Sequence, residues 1–174
     1  VFRNMGINIV KERGIYSVEG KGLRGLEDPE KPLDFGNSGT SIRLCSGILS
    51  AQSFESTLIG DSSLSSRPMQ RIVEPLTAMG ANIISKNGTL PLDISPTDSL
   101  KSINYSLPIA SAQVKSCIML SALYAEGVTT IEENVATRDH TENMFEHFGI
   151  PLEIEDSEVK KRINLTSIDS INPT

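Results

Sequence analysis

Residues 79–96, "MGANIISKNGTLPLDISP", decide how the chain is built. A Gly follows an apolar helix end, and an alternating segment runs up to Lys86. Asn87-Gly88 is the dipeptide of a two-residue hairpin turn, and a second segment returns through Leu90, Leu92 and Ile94. The pattern occurs three times. Residues 5–20, "MGINIVKERGIYSVEG", and 148–168, "FGIPLEIEDSEVKKRINLTSI", carry the same Gly, strand, polar turn and strand. Gly6, Gly80 and Gly149 therefore mark a repeat with a period of about 70 residues.

The segments between the hairpins also correspond. "NSGTSIRLCSGILSAQSFESTLIGD" followed by "SSRPMQRIVEPLTAMG" parallels "SAQVKSCIMLSALYAEGVTTIEE" followed by "ATRDHTENMFEHFG". Each unit reads helix, strand, helix, hairpin. Met69, Ile72, Val73, Leu76 and Met79 make one apolar helical face, and Pro75 inside it is expected to remove a hydrogen bond and kink the helix. Asp139 with Glu142 three residues later has the form of a capping box, Met144, Phe145 and Phe148 supply the apolar face, and Gly149 stops that helix. The opening residues start in mid-element, as if a helix had just ended at Met5-Gly6, which predicts a fragment.

Composition narrows the function classes. The chain has 174 residues, 38% hydrophobic and 22% charged, enough for one core or two small ones. A net charge of -6 argues against nucleic-acid or membrane-surface partners, which need a positive field. No apolar run approaches a membrane span and no basic-then-apolar signal segment opens the chain, so the expected location is cytoplasmic. Cys45 and Cys117 sit among apolar residues and read as buried reduced thiols. His140 and His147 lack a third ligand, so no metal site is expected.

Cations recur where the helix dipole disfavours them. Arg43 lies early in the helix after "GNSGT", Arg67 at or before the start of the Pro68 helix, Lys115 in the first turn after "SAQ", and Arg138 directly before Asp139. Acids would gain about 0.3–1 kcal/mol at such positions and bases lose a similar amount. Anions bound at these helix N-termini would offset the repulsion. "GNSGT" suits that role: Gly36 and Gly39 allow close backbone approach, and Asn37, Ser38 and Thr40 supply donors. The bland alternatives are ion pairs with Asp34 or Asp61, and simple N-caps at Ser38, Thr40, Ser111 and Thr137. "GNSGT" is not a Walker loop, because no Gly-Lys-Ser/Thr follows.

"GNSGTSIRL", "GDSSLSSRPM", "ASAQVKS" and "TRDHTE", in this order and over nearly the whole chain, resemble the 5-enolpyruvylshikimate-3-phosphate synthase family, in spelling its second bacterial class. That resemblance implies an α/β (α+β) fold of repeated βαβαββ units, three in each of two domains, with helices buried and sheets outside. It implies transfer of the enolpyruvyl group of phosphoenolpyruvate to shikimate 3-phosphate, with no metal or organic cofactor, and sensitivity to glyphosate. Carried over by position, Ser111, Ala112, Gln113, Thr137 and Arg138 belong to shikimate 3-phosphate. Asn37, Gly39, Thr40, Arg67 and again Gln113 belong to phosphoenolpyruvate, and Arg43 supports the "GNSGT" turn. Lys115 receives no family role. The family's N-terminal Lys-Ser motif, its second domain and its main acid-base residues have no counterpart in residues 1–174, and "IDSINPT" falls about where a crossing into that domain is expected. The resemblance thus implies one substrate-binding domain with half of a site, catalytically incompetent alone. The rivals are the related UDP-N-acetylglucosamine enolpyruvyl transferase, whose reactive-Cys loop has no clear counterpart in "GDSSLSSRPM", and a non-catalytic anion-binding module.

Overall fold

The computed structural model describes residues 1–157 and 160–171, so the end of "IDSINPT" lies outside the described residues. The three hairpins form as the repeat predicts: β1 (Asn8–Glu12) with β2 (Ile15–Glu19), β5 (Asn82–Lys86) with β6 (Thr89–Ser95), and β9 (Leu152–Asp156) with β10 (Lys161–Thr166). Two of the turns have both central residues at positive φ, Arg13 at 49° with Gly14 at 83°, and Asn87 at 54° with Gly88 at 76°. That geometry matches the twist of the flanking strands, which is why Asn-Gly serves so well there. The repeat glycines Gly6, Gly80 and Gly149 have φ of 79°, 91° and 67°, so each ends a helix in the left-handed conformation that only Gly adopts cheaply.

Two complete units follow the first hairpin. The first runs β3 (Leu33–Asp34), α1 (Gly39–Leu49), β4 (Ser56–Ile59), α2 (Ser62–Ser65), α3 (Gln70–Ala78), β5 and β6. The second runs β7 (Asn104–Ser106), α4 (Ala112–Ala122), β8 (Val128–Glu133), α5 (His140–His147), β9 and β10. Their sheets have the same order, β3-β4-β6-β5 and β7-β8-β10-β9, with the first pair parallel and the others antiparallel. The leading strand of each unit is absent from a residue-by-residue pattern but present in the βαβαββ unit that the family resemblance implies. The "SSRPM" helix is also split. Asp61 Oδ1 accepts from the Leu64 amide at 2.7 Å and caps the single turn α2, so α3 starts only at Gln70. Pro75 lies inside α3, where it leaves the Arg71 carbonyl without its helical donor.

The core lies between the sheets. Leu92 and Ile94 of β6, Ile131 of β8 and Ile163 and Leu165 of β10 are buried, each such side chain contributing about 1.5–3 kcal/mol. They join one buried cluster with apolar residues of α1 and α4, and α4 is itself interior: Val114 through Ala122 are all buried. Buried hydroxyls on these helices return to carbonyls one turn back, Ser46 to Ile42 at 2.7 Å and Ser121 to Cys117 at 2.9 Å. The helices touch at Gly47, where an added Cβ would stand 2.3 Å from the Cys117 carbonyl oxygen. Cys45 and Cys117 are unpaired and buried, which pushes their thiol pKa values up to about 11 and about 12. No helix among the described residues is long and apolar enough to cross a membrane.

Candidate functional site

The N-termini of α1 and α4 meet. Asp34 Oδ1 accepts from the Gly36 amide at 2.8 Å and shapes the turn before α1, whose N-cap Ser38 accepts from the Ser41 amide at 3.2 Å. Ser111 caps α4, accepting from Val114 at 3.4 Å. Gln113 then joins the two ends. Its Nε2 donates to Thr40 Oγ1 at 2.8 Å, and its Oε1 accepts from Arg43 Nη1. Arg43 also donates through Nη2 to the Pro68 carbonyl at 3.1 Å, so one buried guanidinium holds α4 and the loop before α3 together.

Arg43 makes different contacts from those expected. It fastens Gln113 rather than the "GNSGT" turn itself. Its Nε is buried without a partner among the described residues, and its pKa is lowered first by burial and then by the positive charges of Arg71 and Arg67. Arg67 covers the turn, donating from Nη2 to Asn37 Oδ1 and, at 3.4 Å, to the Ser63 hydroxyl. Gly39 opens α1 directly beneath it: an added Cβ would stand 2.9 Å from Arg67 Nη1 and 3.5 Å from Arg43 Nη1. Among the described residues no carboxylate pairs with Arg43, Arg67 or Arg138, and Asp34 and Asp61 are occupied by backbone amides. Ion pairing with those two acids therefore does not explain the cations.

Thr40, Ala112, Gln113 and Arg138 line one cavity of about 130 Å³, with Leu44, Ser116, His140 and Thr141 completing its wall. Asn37, Gly39 and Arg67 form a cluster reached through Thr40 and Arg43. Thr137 is turned away from an open position, since its Oγ1 donates to Glu133 Oε1 at 2.6 Å. A larger depression of about 570 Å³ between residues 28–32 and 53–57 has Lys31 as its single cation, lined also by Asp28, Glu30 and Glu55. It gathers no anion-binding cluster.

Two expectations fail in the second unit. Lys115 does not face a ligand: it is fully buried, with Nζ 3.0 Å from Glu133 Oε2 and 2.6 Å from Glu142 Oε1. The Asp139–Glu142 capping box does not form. Asp139, at φ -99° and ψ 20°, makes no side-chain cap hydrogen bond, and Glu142 turns inward to Lys115 and Lys161. A buried ammonium outcompetes a helix-end amide for that carboxylate, because an uncompensated buried charge costs far more than a missing cap. Ser63, Ser116, Glu133 and Thr141 were not signalled by the sequence. Arg71, the second residue of α3, carried no such signal either.

This topology and constellation have close relatives. The family model for EPSP synthase (3-phosphoshikimate 1-carboxyvinyltransferase) matches residues 1–167. The chain is 53% identical to the 3-phosphoshikimate 1-carboxyvinyltransferase of Vesicomyosocius okutanii over 98% of its own length and 38% of that protein. It is 54% identical to that of Methylococcus capsulatus over 87% of its length and 35% of that protein. A solved structure of EPSP synthase from Acinetobacter baumannii superposes with a TM-score of 0.88 at 46% identity, over 97% of this chain and 38% of that one. The chain thus spans little more than a third of the relatives it matches. Matched by the family model over nearly all its residues and superposing on a solved member, the chain belongs to the EPSP synthase family.

Proposed function

We propose that residues 1–174 are a substrate-binding domain of a 3-phosphoshikimate 1-carboxyvinyltransferase and supply one half of its site. The observation that carries this is the Gln113 bridge. It joins the N-termini of α1 and α4 beside guanidiniums that have no carboxylate partner among the described residues. Two helix ends and several guanidiniums not neutralised by a carboxylate among the described residues suit two multiply anionic substrates held side by side. Ser111, Ala112, Gln113 and Arg138 take shikimate 3-phosphate, Arg138 on its phosphate with Thr137 nearby. Asn37, Gly39, Thr40, Arg67 and Gln113 take phosphoenolpyruvate, and Arg43 holds Gln113 between them.

In the reaction the 5-hydroxyl of shikimate 3-phosphate adds to C2 of phosphoenolpyruvate as C3 gains a proton. The tetrahedral adduct then loses inorganic phosphate and a C3 proton to leave the enolpyruvyl ether. This half contributes binding and orientation, and its fixed positive field stabilises charge as it moves onto the departing phosphate. Proton transfer falls to groups of a second domain, so this chain alone is inactive. No metal or organic cofactor is needed, and the setting is cytoplasmic. Buried Cys45 and Cys117 weigh against the UDP-N-acetylglucosamine enolpyruvyl transferase reading, which uses an accessible cysteine loop.

The test is calorimetric titration of shikimate 3-phosphate, with plain shikimate and Arg138→Ala as controls. Binding that requires the phosphate and is lost in Arg138→Ala is the expected result. Equal binding of shikimate, or binding unaffected by Arg138→Ala, overturns the assignment.

A further inference from the structure

Beside the site lies a charged cluster that the proposed chemistry does not use. Lys115 of α4, Glu133 at the end of β8, Glu142 of α5 and Lys161 of β10 form a neutral group whose innermost members, Lys115 and Glu133, are almost wholly buried. Glu133 uses both oxygens. Oε2 takes Lys115 at 3.0 Å, and Oε1 takes the Thr137 hydroxyl at 2.6 Å. A second tie, the 2.6 Å Ser116–Thr141 hydroxyl pair, links α4 to α5 on the cavity wall.

The loop 134–138 explains what the cluster is for. It carries Arg138, it is largely exposed, and among the described residues its one hydrogen bond is that of Thr137 to Glu133. Well-packed apolar residues of similar volume often serve as well as a buried ion pair for stability, so a buried Lys here is better explained by the geometry it fixes. We propose that Lys115, Glu133 and Thr137 are a positioning relay that sets the Arg138 loop against the N-terminus of α4. Lys115 orients the Glu133 carboxylate, Glu133 holds Thr137, and Arg138 is thereby placed opposite Gln113. Thr137 then acts on the substrate through Arg138 and not by touching it. This inference rests on the function proposed above, in which Arg138 meets the substrate phosphate.

The experiment uses the full-length protein carrying this sequence, and reads the Kd for shikimate 3-phosphate and for plain shikimate together with thermal unfolding. Thr137→Val is expected to weaken shikimate 3-phosphate about tenfold, as loss of a charge-assisted hydrogen bond would, with shikimate affinity unchanged within about twofold. Thr137→Ser restores it. Lys115→Met gives the same selective loss, and the Lys115→Met/Thr137→Val double variant is no weaker than the worse single one, because both break one chain of contacts. Losses that multiply in the double variant mean that Thr137 touches the ligand directly, and they refute the relay. So does a Thr137→Val Kd within about twofold of the parent when Arg138→Ala abolishes binding. Should Lys115→Met not fold, Glu133→Gln takes its place in the cycle with Thr137→Val, and losses that multiply there refute the relay. An Arg138→Ala protein that binds normally overturns the site assignment itself, and the relay with it.

Discussion

Replacing Lys115 by Met removes a charge at nearly constant volume, so the effect on stability is electrostatic and opens no cavity. Lys115 lies 3.0 Å from Glu133 and 2.6 Å from Glu142, and neither side-chain pair has more than 3% exposure. At an effective dielectric of about 20 each contact is worth roughly 5–6 kcal/mol before desolvation. Desolvation cancels most of that in the intact cluster, but in the variant the carboxylates stay buried with no ammonium between them. Lys161, 3.3 Å from Glu142, compensates one of the two. The uncompensated carboxylate is Glu133, and breaking such a buried pair costs about 3–5 kcal/mol. At about 2–4 °C per kcal/mol for a chain of this size, the melting temperature should fall by about 6–20 °C. Thermal and denaturant unfolding of the two proteins measure this. Adding Glu133→Gln to Lys115→Met should recover part of the loss by removing the stranded charge. A Lys115→Met protein as stable as its parent, or a double variant that is worse than the single, would refute the reasoning.

Three further outcomes are expected. Cys45 and Cys117 should react with a thiol reagent at pH 8 only as fast as the protein opens. Because their folded pKa values of about 11 and about 12 lie above those of free thiols, their contribution to stability is full below the ordinary thiol pKa and is lost as pH rises through the folded values, which alkaline unfolding of Cys→Ser variants can read. Glu132, held below the usual carboxylate range by hydrogen bonds from Lys160 and then Arg162, contributes stability above the ordinary Glu pKa that is lost as pH falls through its folded value; Glu132→Gln should flatten that acid limb in an unfolding titration. Gly39→Ala places a Cβ 2.9 Å from Arg67 Nη1, and under the proposed function it should weaken phosphoenolpyruvate about tenfold or more in competition binding while leaving the melting temperature level or slightly higher, since Ala is the better helix former by up to about 1 kcal/mol.

The legible parts of the fold are those whose chemistry is local. Asn87-Gly88 and Gly80 need only their own φ angles to make a turn and a helix stop, so a three-fold repeat of them exposes the architecture. The leading strands are illegible for the opposite reason. Leu33–Asp34 is two residues long and Asn104–Ser106 is polar, and both are strands because β4 and β8 pair with them. Thr40, Gln113, Arg67 and Arg138 stand out as polar or cationic groups at helix starts, which is a local anomaly. Lys115 looks the same in one dimension. What distinguishes it is that Val114, Ser116, Cys117 and Ile118 around it are all buried, and that its partners lie 18 and 27 residues away. Glu142 illustrates the converse: a valid local capping pattern loses to a charge that only the tertiary fold delivers.

Gly47 gives the crossing of α1 and α4 a mechanical meaning. The Cys117 carbonyl against which it rests is backbone and cannot swing aside, so the contact acts as a fulcrum between two stiff rods. From Gly47 to Thr40 is seven residues, roughly 10 Å along the helix. A methyl group at this fulcrum would pry the rods apart, and the lever arm would carry that displacement to their far ends, where Thr40 and Gln113 now stand 2.8 Å apart. Gly47→Ala would therefore impair the proposed site without touching it, by spoiling the alignment of the two repeats that meet there.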